Sequence, residues 1–281
     1  MASNPSGYYY DYHVHTHYSA CGKEDALPGA ILQRVQECGL KAIGFTDHCW
    51  SDPDLALVER LRGDLQTAGY GDWHGASGAA APLCYYLGVE AQMNAPDKPT
   101  ITADGARRLD FVLMAPNHYH LEVVENPRDC TPEAYALYSL AMFEGAIALG
   151  YVDVVAHPFT PLGQRPFTHK DIFDAMPEGR LLECLSMVAK AGVAFELNPA
   201  TLPRHADYLP RLYRMCVDQG VKISLGSDSH SLATLCYPPG HCPPASILEE
   251  LGISEDRLWH PRQPQQDCQP SETPAPPPTT T

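Results

Sequence analysis

His13-Val14-His15 is the first place in the chain where residue type and spacing could do chemistry. In an extended segment residues i and i+2 share a side, so this triplet sets two imidazoles together. Further along come Thr46-Asp47-His48, Glu90, Asn117-His118-Tyr119-His120, His157-Pro158, Glu196-Leu197-Asn198 and Ser227-Asp228-Ser229-His230. Asp228 and His230 repeat the i, i+2 spacing. Neutral imidazoles with carboxylates beside them bind Zn, Mn or Fe. Glu90 can bridge two ions through its two oxygens. These donors outnumber a single tetrahedral shell, which predicts two or three divalent metal ions.

Each group ends or follows a short apolar run. The runs are Tyr8–Val14, Ala42–Thr46, Leu83–Glu90, Phe111–Ala115, Val152–Ala156, Val193–Leu197 and Lys222–Gly226. Each has the length of a buried strand. Between most of them apolar residues recur at helical spacing. Ile31, Val35 and Cys38 form one stripe, and Leu55, Val58, Leu61 and Leu65 another. Pro132 to Leu149, Gly179 to Ala191, and Leu209, Leu212, Tyr213 and Cys216 continue the pattern. Gly39, Gly150, Gly192 and Gly220 stand where helices stop before strands. Strand–helix alternation predicts a parallel sheet covered by helices, and about seven units favour a barrel. The C-terminal ends of all strands in a parallel barrel face one mouth. Imidazole or acid at nearly every such end is not something packing requires.

The segments DYHVHTHYS, GFTDH, GVE, the later His118, AHP and GSDSH, in this order, resemble the PHP (polymerase and histidinol phosphatase) family from Tyr10 to about Leu251. HxH alone also occurs in amidohydrolases; followed by TDH and then GSDSH it is specific. The resemblance implies an α/β fold, a distorted (β/α)7 TIM-like barrel, with a trinuclear metal site and phosphoesterase activity. Position by position, it implies His13, His15, Glu90 and Asp228 on one ion. Glu90 then bridges to a second ion held by His118 and His157, and His48 and His230 hold a third. Six residues after the second His of HxH the family usually has His or Asp. Here Cys21 occupies that position, and Cys21 thiolate, Glu24 and Asp25 stand as alternative third-site ligands.

The expected function is metal-dependent hydrolysis of a small-molecule phosphate monoester by metal-activated hydroxide. Histidinol phosphate is the first choice of substrate. The leaving oxygen is expected to take its proton from a metal-bound water or from a nearby acid, His230 or Asp228. Arg165 is the first candidate to hold the phosphate, because related histidinol phosphatases carry basic residues in that loop. Arg204 and His205 come second, and His120 is a further candidate contact. Asp47 is expected either to hydrogen-bond a ligating His or to cap a helix. Glu196 and Asn198 are expected to support ligands, touch substrate or make local turn bonds. Other readings are a phosphodiesterase or nucleotide phosphatase of the same family, an amidohydrolase-type C–N hydrolase, and a non-catalytic metal-binding module. No Lys falls at an expected strand mouth to serve as a carboxylated bridge of the amidohydrolase kind.

Composition narrows the classes. The chain has 281 residues with 19 basic and 34 acidic side chains, a formal charge of −15. That balance argues against long nucleic acids and anionic membranes as partners. No apolar run approaches the ~18 residues of a membrane span. The start has no basic region followed by an apolar stretch, so no secretory signal is expected. Ten Cys without a CxxC pair suggest reduced thiols and a cytoplasmic location. Residues 1–258 are expected to form the barrel domain and 259–281 a disordered, Pro-rich tail. Gly69–Ala81, rich in Gly and Ala, is expected to be a loop.

Overall fold

The structure is a computed structural model that describes residues 9–70, 83–163, 165–236 and 244–262. In chain order its elements are β1 (Tyr10–Val14), α1 (Pro28–Glu37), β2 (Ala42–Phe45), β3 (His48–Cys49), α2 (Ala56–Thr67), β4 (Cys84–Ala95), β5 (Lys98–Pro99) and α3 (Ala103–Ala106). There follow β6 (Phe111–Ala115), α4 (Pro132–Ala148), β7 (Val154–Val155), α5 (His169–Asp174), α6 (Glu178–Ala191), β8 (Ala194–Leu197), α7 (Leu209–Gln219), β9 (Lys222–Leu225) and α8 (Pro244–Leu251). Seven strands pair in the order β1-β2-β4-β6-β7-β8-β9. Every pairing along this path is parallel. The segment after β9 returns to β1: Asp228 N–H donates to the His13 carbonyl at 2.9 Å, and His15 N–H donates to the Ser229 carbonyl at 2.8 Å. The sheet is thus a nearly closed seven-stranded barrel, as the alternation of runs and stripes predicts.

Helices cover the outside with the stripes expected of them. Ile31, Leu32 and Val35 bury one face of α1, and Leu209, Leu212, Tyr213 and Cys216 one face of α7. Thr131 caps α4 by accepting from the Ala134 N–H, and Pro132 occupies its first turn, where the missing N–H costs nothing. The four glycines expected to stop helices all have positive φ.

Two apolar cores result. The larger lies between strands and helices. The smaller fills the barrel interior, where Tyr12, Tyr86, Phe111, Leu113, Ala115, Val154 and Ala194 meet. On β1 the register slips: Asp11 pairs with Ile43 and Val14 with Phe45, so three residue steps on β1 span two on β2. Such a bulge resets the alternation of faces. Tyr12 packs in the interior core and Val14 in the outer one, while His13 and His15, both buried, bring their Nε2 atoms within 3.0 Å of each other.

Several boundaries differ from the sequence reading. β4 runs five residues past Glu90, to Ala95, because β5 pairs with its far end. β7 keeps only Val154–Val155 of its expected run. Trp259 and His260, assigned to the tail by their Pro-rich surroundings, pack against the barrel. Trp259 N–H donates to the Ile223 carbonyl at 2.8 Å, and its ring meets Tyr12 and Phe111 at 5.6 Å each. His260 Nδ1 is 2.9 Å from the Tyr12 hydroxyl. An aromatic anchor directly before a proline run is averaged away in a composition window. Positions 263–281, and most of the expected Gly69–Ala81 loop, lie outside the described residues. Among the described residues no helix is long and apolar enough to cross a membrane.

Candidate metal centre

Three groups of donors gather at the C-terminal mouth: His13, His15 and Asp228; Glu90, His118 and His157; and His15, Cys21, His48 and His230. Within each group the ligand atoms all lie within 4.8 Å of one another. The fold accounts for each position. Tyr86 and Ala194 lie on the inward faces of β4 and β8; four residues on from Tyr86 stands Glu90 and two on from Ala194 stands Glu196, both buried. His118 follows β6, His157 follows β7, and Asp228 and His230 follow β9. His157 and Asp228 have φ of 31° and 55°, values that L side chains rarely adopt, where the chain turns at the mouth.

Hydrogen bonds decide which ring nitrogens face the centre. His13 Nδ1 lies 2.6 Å from Glu196 Oε1, an acceptor, so Nδ1 carries the hydrogen. His15 Nδ1 lies 2.9 Å from Ser19 Oγ. Ser19 Oγ gives its own proton to Asp47 Oδ1 at 2.7 Å, so it accepts from His15. His157 Nδ1 lies 2.8 Å from Asn117 Oδ1, and the Asn117 amide donates to the His157 and Thr160 carbonyls. His230 Nδ1 donates to the Asp228 carbonyl at 2.9 Å. In all four neutral rings the lone pair therefore sits on Nε2.

Those lone pairs converge on acids. His13 Nε2 and His15 Nε2 are 3.0 Å apart. They lie 3.5 and 3.4 Å from Glu90 Oε2 and 3.4 and 3.3 Å from Asp228 Oδ1. Glu90 Oε1 faces His157 Nε2 at 3.1 Å and His118 Nε2 at 3.5 Å. Glu90 Oε2 also meets His48 Nδ1 at 2.9 Å. One carboxylate thus presents one oxygen to three imidazoles and the other to two. Lone pair against lone pair repels unless positive charge stands between them. This donor set fits divalent cations.

Without such ions, protons must supply the charge. Burial works against a proton on His13, but Glu196, Asp228 and Glu90 outweigh it and raise its pKa well above the ordinary value. His48 is raised to about 10: burial opposes this, and the hydrogen bonds to Cys21 and Glu90 prevail. Burial pushes the Glu90 and Asp228 carboxyls up, yet the surrounding imidazoles hold both well below the usual range. Burial pushes His118 down to about 3, leaving that ring neutral and able to ligate.

The centre opens into a cleft of about 320 Å³ whose walls include Ala20, Trp50, His120, Leu121 and Leu162. His120, a candidate substrate contact, is on this wall. Arg165, Arg204 and His205 are not; they line a separate cleft of about 540 Å³ with Gly163, His169 and Lys170. The Arg165 guanidinium donates to the carbonyls of Pro161, Leu162 and Gly163 at 2.9, 2.5 and 3.3 Å. It also lies over the rings of Tyr119 and Tyr135, so its own loop competes with any phosphate for it. Glu24 and Asp25 belong to none of the three donor groups. Asp47 reaches His15 through Ser19, a link with no sequence spacing to announce it. Trp50, 41% exposed and stacked on His48 at 5.2 Å, was likewise not singled out from sequence. Its place directly after Thr46-Asp47-His48-Cys49 was the available signal.

The chain matches the PHP domain model over residues 11–200. Among solved structures it is similar to histidinol phosphate phosphatase from Lactococcus lactis, complexed with zinc, L-histidinol and phosphate. The TM-score is 0.54 and the identity 16%, covering 88% of this chain and 94% of that one. It is also similar to the hisK protein from Listeria monocytogenes, with TM-score 0.54 and 12% identity, covering 80% of this chain and 97% of that one. No curated protein sequence matches the chain. With the family's motifs occupying the mouth of the barrel in order, the chain belongs to the PHP domain family of metal-dependent phosphoesterases.

Proposed function

We propose that this chain hydrolyses small phosphate monoesters with the aid of at least two divalent ions, and that histidinol phosphate is the first substrate to test. One observation carries the reading: the Nδ1 atoms of His13, His15 and His157 are committed to Glu196, Ser19 and Asn117, while their Nε2 atoms converge on Glu90 and Asp228. His13, His15 and Asp228 would hold one ion and His118 and His157 the other, with Glu90, which offers an oxygen to each group, between them. Bound there, such ions neutralise phosphoryl charge and make water nucleophilic near neutral pH.

The chain's own residues do the rest. Glu196, Ser19 and Asn117 fix the rings, so the donors need no rearrangement on binding. Among the described residues lining the cleft there is no Lys or Arg, so phosphoryl charge there would fall to the ions and to imidazoles. Trp50, Leu121 and Leu162 form an apolar wall for the leaving group. Asp228 is held ionised, which suits ligation rather than proton donation. The leaving oxygen takes its proton from water at the open mouth. The choice of histidinol phosphate is supported by the Lactococcus lactis structure, which contains L-histidinol and phosphate on a similar fold. Free thiols such as Cys21 suit a reducing cytoplasm.

The test is turnover of histidinol phosphate, p-nitrophenyl phosphate and bis(p-nitrophenyl) phosphate by chelated protein reloaded with Zn²⁺ or Mn²⁺. The monoesters are expected to turn over only after reloading. Preference for the diester, or turnover that survives chelation, contradicts the reading.

A further inference from the structure

The turn after β1 carries a donor of different chemistry. Ser19 N–H donates to the Thr16 carbonyl at 3.2 Å and Gly22 N–H to the Ser19 carbonyl at 2.9 Å, so the chain curls tightly. A Cβ at Gly22 would lie 2.0 Å from the Thr16 carbonyl oxygen, so only glycine admits this curl. Lys23 N–H then donates to the His230 carbonyl at 2.9 Å and ties the turn to the segment after β9. The result sets Cys21 beside His48 and His230, with ligand atoms within 4.8 Å of one another. His15 borders the same group, but its Nε2 faces His13 and Asp228, and its ring stacks on His230 at 4.1 Å.

We propose that Cys21, as thiolate, joins His48 and His230 in a third ion site that takes Zn²⁺ in preference to Mn²⁺. This rests on the metal-dependent reading above and departs from the His or carboxylate that the family places at this position. Thiolate is a soft donor suited to zinc, whereas Mn²⁺ favours oxygen. One sulfur and two imidazoles also leave a fourth position open, the pattern of a zinc that meets ligands from outside. All three donors line the 320 Å³ cleft, so that position faces the space where a phosphate would sit. Cys21 is exposed, so alkylation of its sulfur removes this site and leaves the other two sets of donors intact.

The experiment uses the chelated full chain and Co²⁺ as a spectroscopic probe. Wild type is expected to develop a near-ultraviolet thiolate-to-cobalt charge-transfer band on titration, and Cys21→Ser to lack it. Elemental analysis after zinc loading should find one ion fewer in Cys21→Ser, and zinc should shield Cys21 from iodoacetamide. Cys21→Asp should regain the ion under Mn²⁺ loading, without the band. If wild type binds ions without the band and Cys21→Ser binds as many, the thiolate site is wrong and the His–carboxylate centre stands. If wild type binds no ion at all, both fall.

Discussion

Glu196→Gln isolates the support of the centre from the centre itself. Glu196 touches no ion in this account; one oxygen accepts from His13 Nδ1 and the other from the His157 N–H, each at 2.6 Å. Glutamine keeps the shape but has one acceptor oxygen and one N–H₂ group. Wherever it points, a donor faces a donor or His13 changes tautomer and buries its Nε2 lone pair under a proton. The lost bond is to a charged, buried carboxylate, worth about 1.5–3 kcal/mol. At about 1.4 kcal/mol per factor of ten, that weakens the ion on His13 by roughly 10- to 150-fold. Removing the partner of a ligating His elsewhere costs a comparable 10–100-fold. Competition between the metal-free protein and a zinc chelator at fixed pH reads this directly, with the exposed Glu133→Gln as control. Unchanged affinity in Glu196→Gln would refute the claim that Glu196 positions His13 and His157 for ion binding.

Zinc loading at pH 7 should release protons, because His13 and His48 are raised above neutrality in the metal-free centre. A weakly buffered titration checks this, and zinc affinity should rise with pH as those protons leave. The sign for stability is opposite: the raised His48 pKa stabilises the metal-free chain fully below 6.5, and this is lost as pH climbs towards about 10. Gly226→Ala would put a Cβ 2.2 Å from Glu196 Oε1 and 2.7 Å from His13 Cβ. Overpacking of this kind should cost about 1–3 kcal/mol in denaturant melts and weaken zinc binding as well. Trp50→Ala should raise KM for p-nitrophenyl phosphate by about 2- to 10-fold, the size of an aromatic contact, and leave glycerol phosphate nearly unchanged. Equal effects on both esters would remove Trp50 from the substrate wall.

The barrel was legible because each of its seven strands announces itself as a short apolar run and each of the five longest helices as a stripe. The donors were legible because they follow those runs in family order. What stayed hidden depends on contacts remote in sequence. Ser19 joins His15 to Asp47 through a turn that no spacing encodes. Asn117 was visible only as the neighbour of His118, yet it orients His157, forty positions away. Arg165 has the right charge and the right loop, but its own carbonyls and two tyrosine rings claim it. Trp259 belongs by composition to the tail and by packing to the barrel, since one aromatic anchor outweighs the prolines after it.

Imidazoles and acids from six strand ends converge where a cluster of divalent ions would sit. Zinc-loaded crystals, with anomalous diffraction recorded on both sides of the zinc edge, locate such ions. One peak is expected among His13 Nε2, His15 Nε2 and Asp228, and another among Glu90, His118 and His157. Peaks elsewhere on the surface, with the mouth of the barrel empty, would contradict this placement.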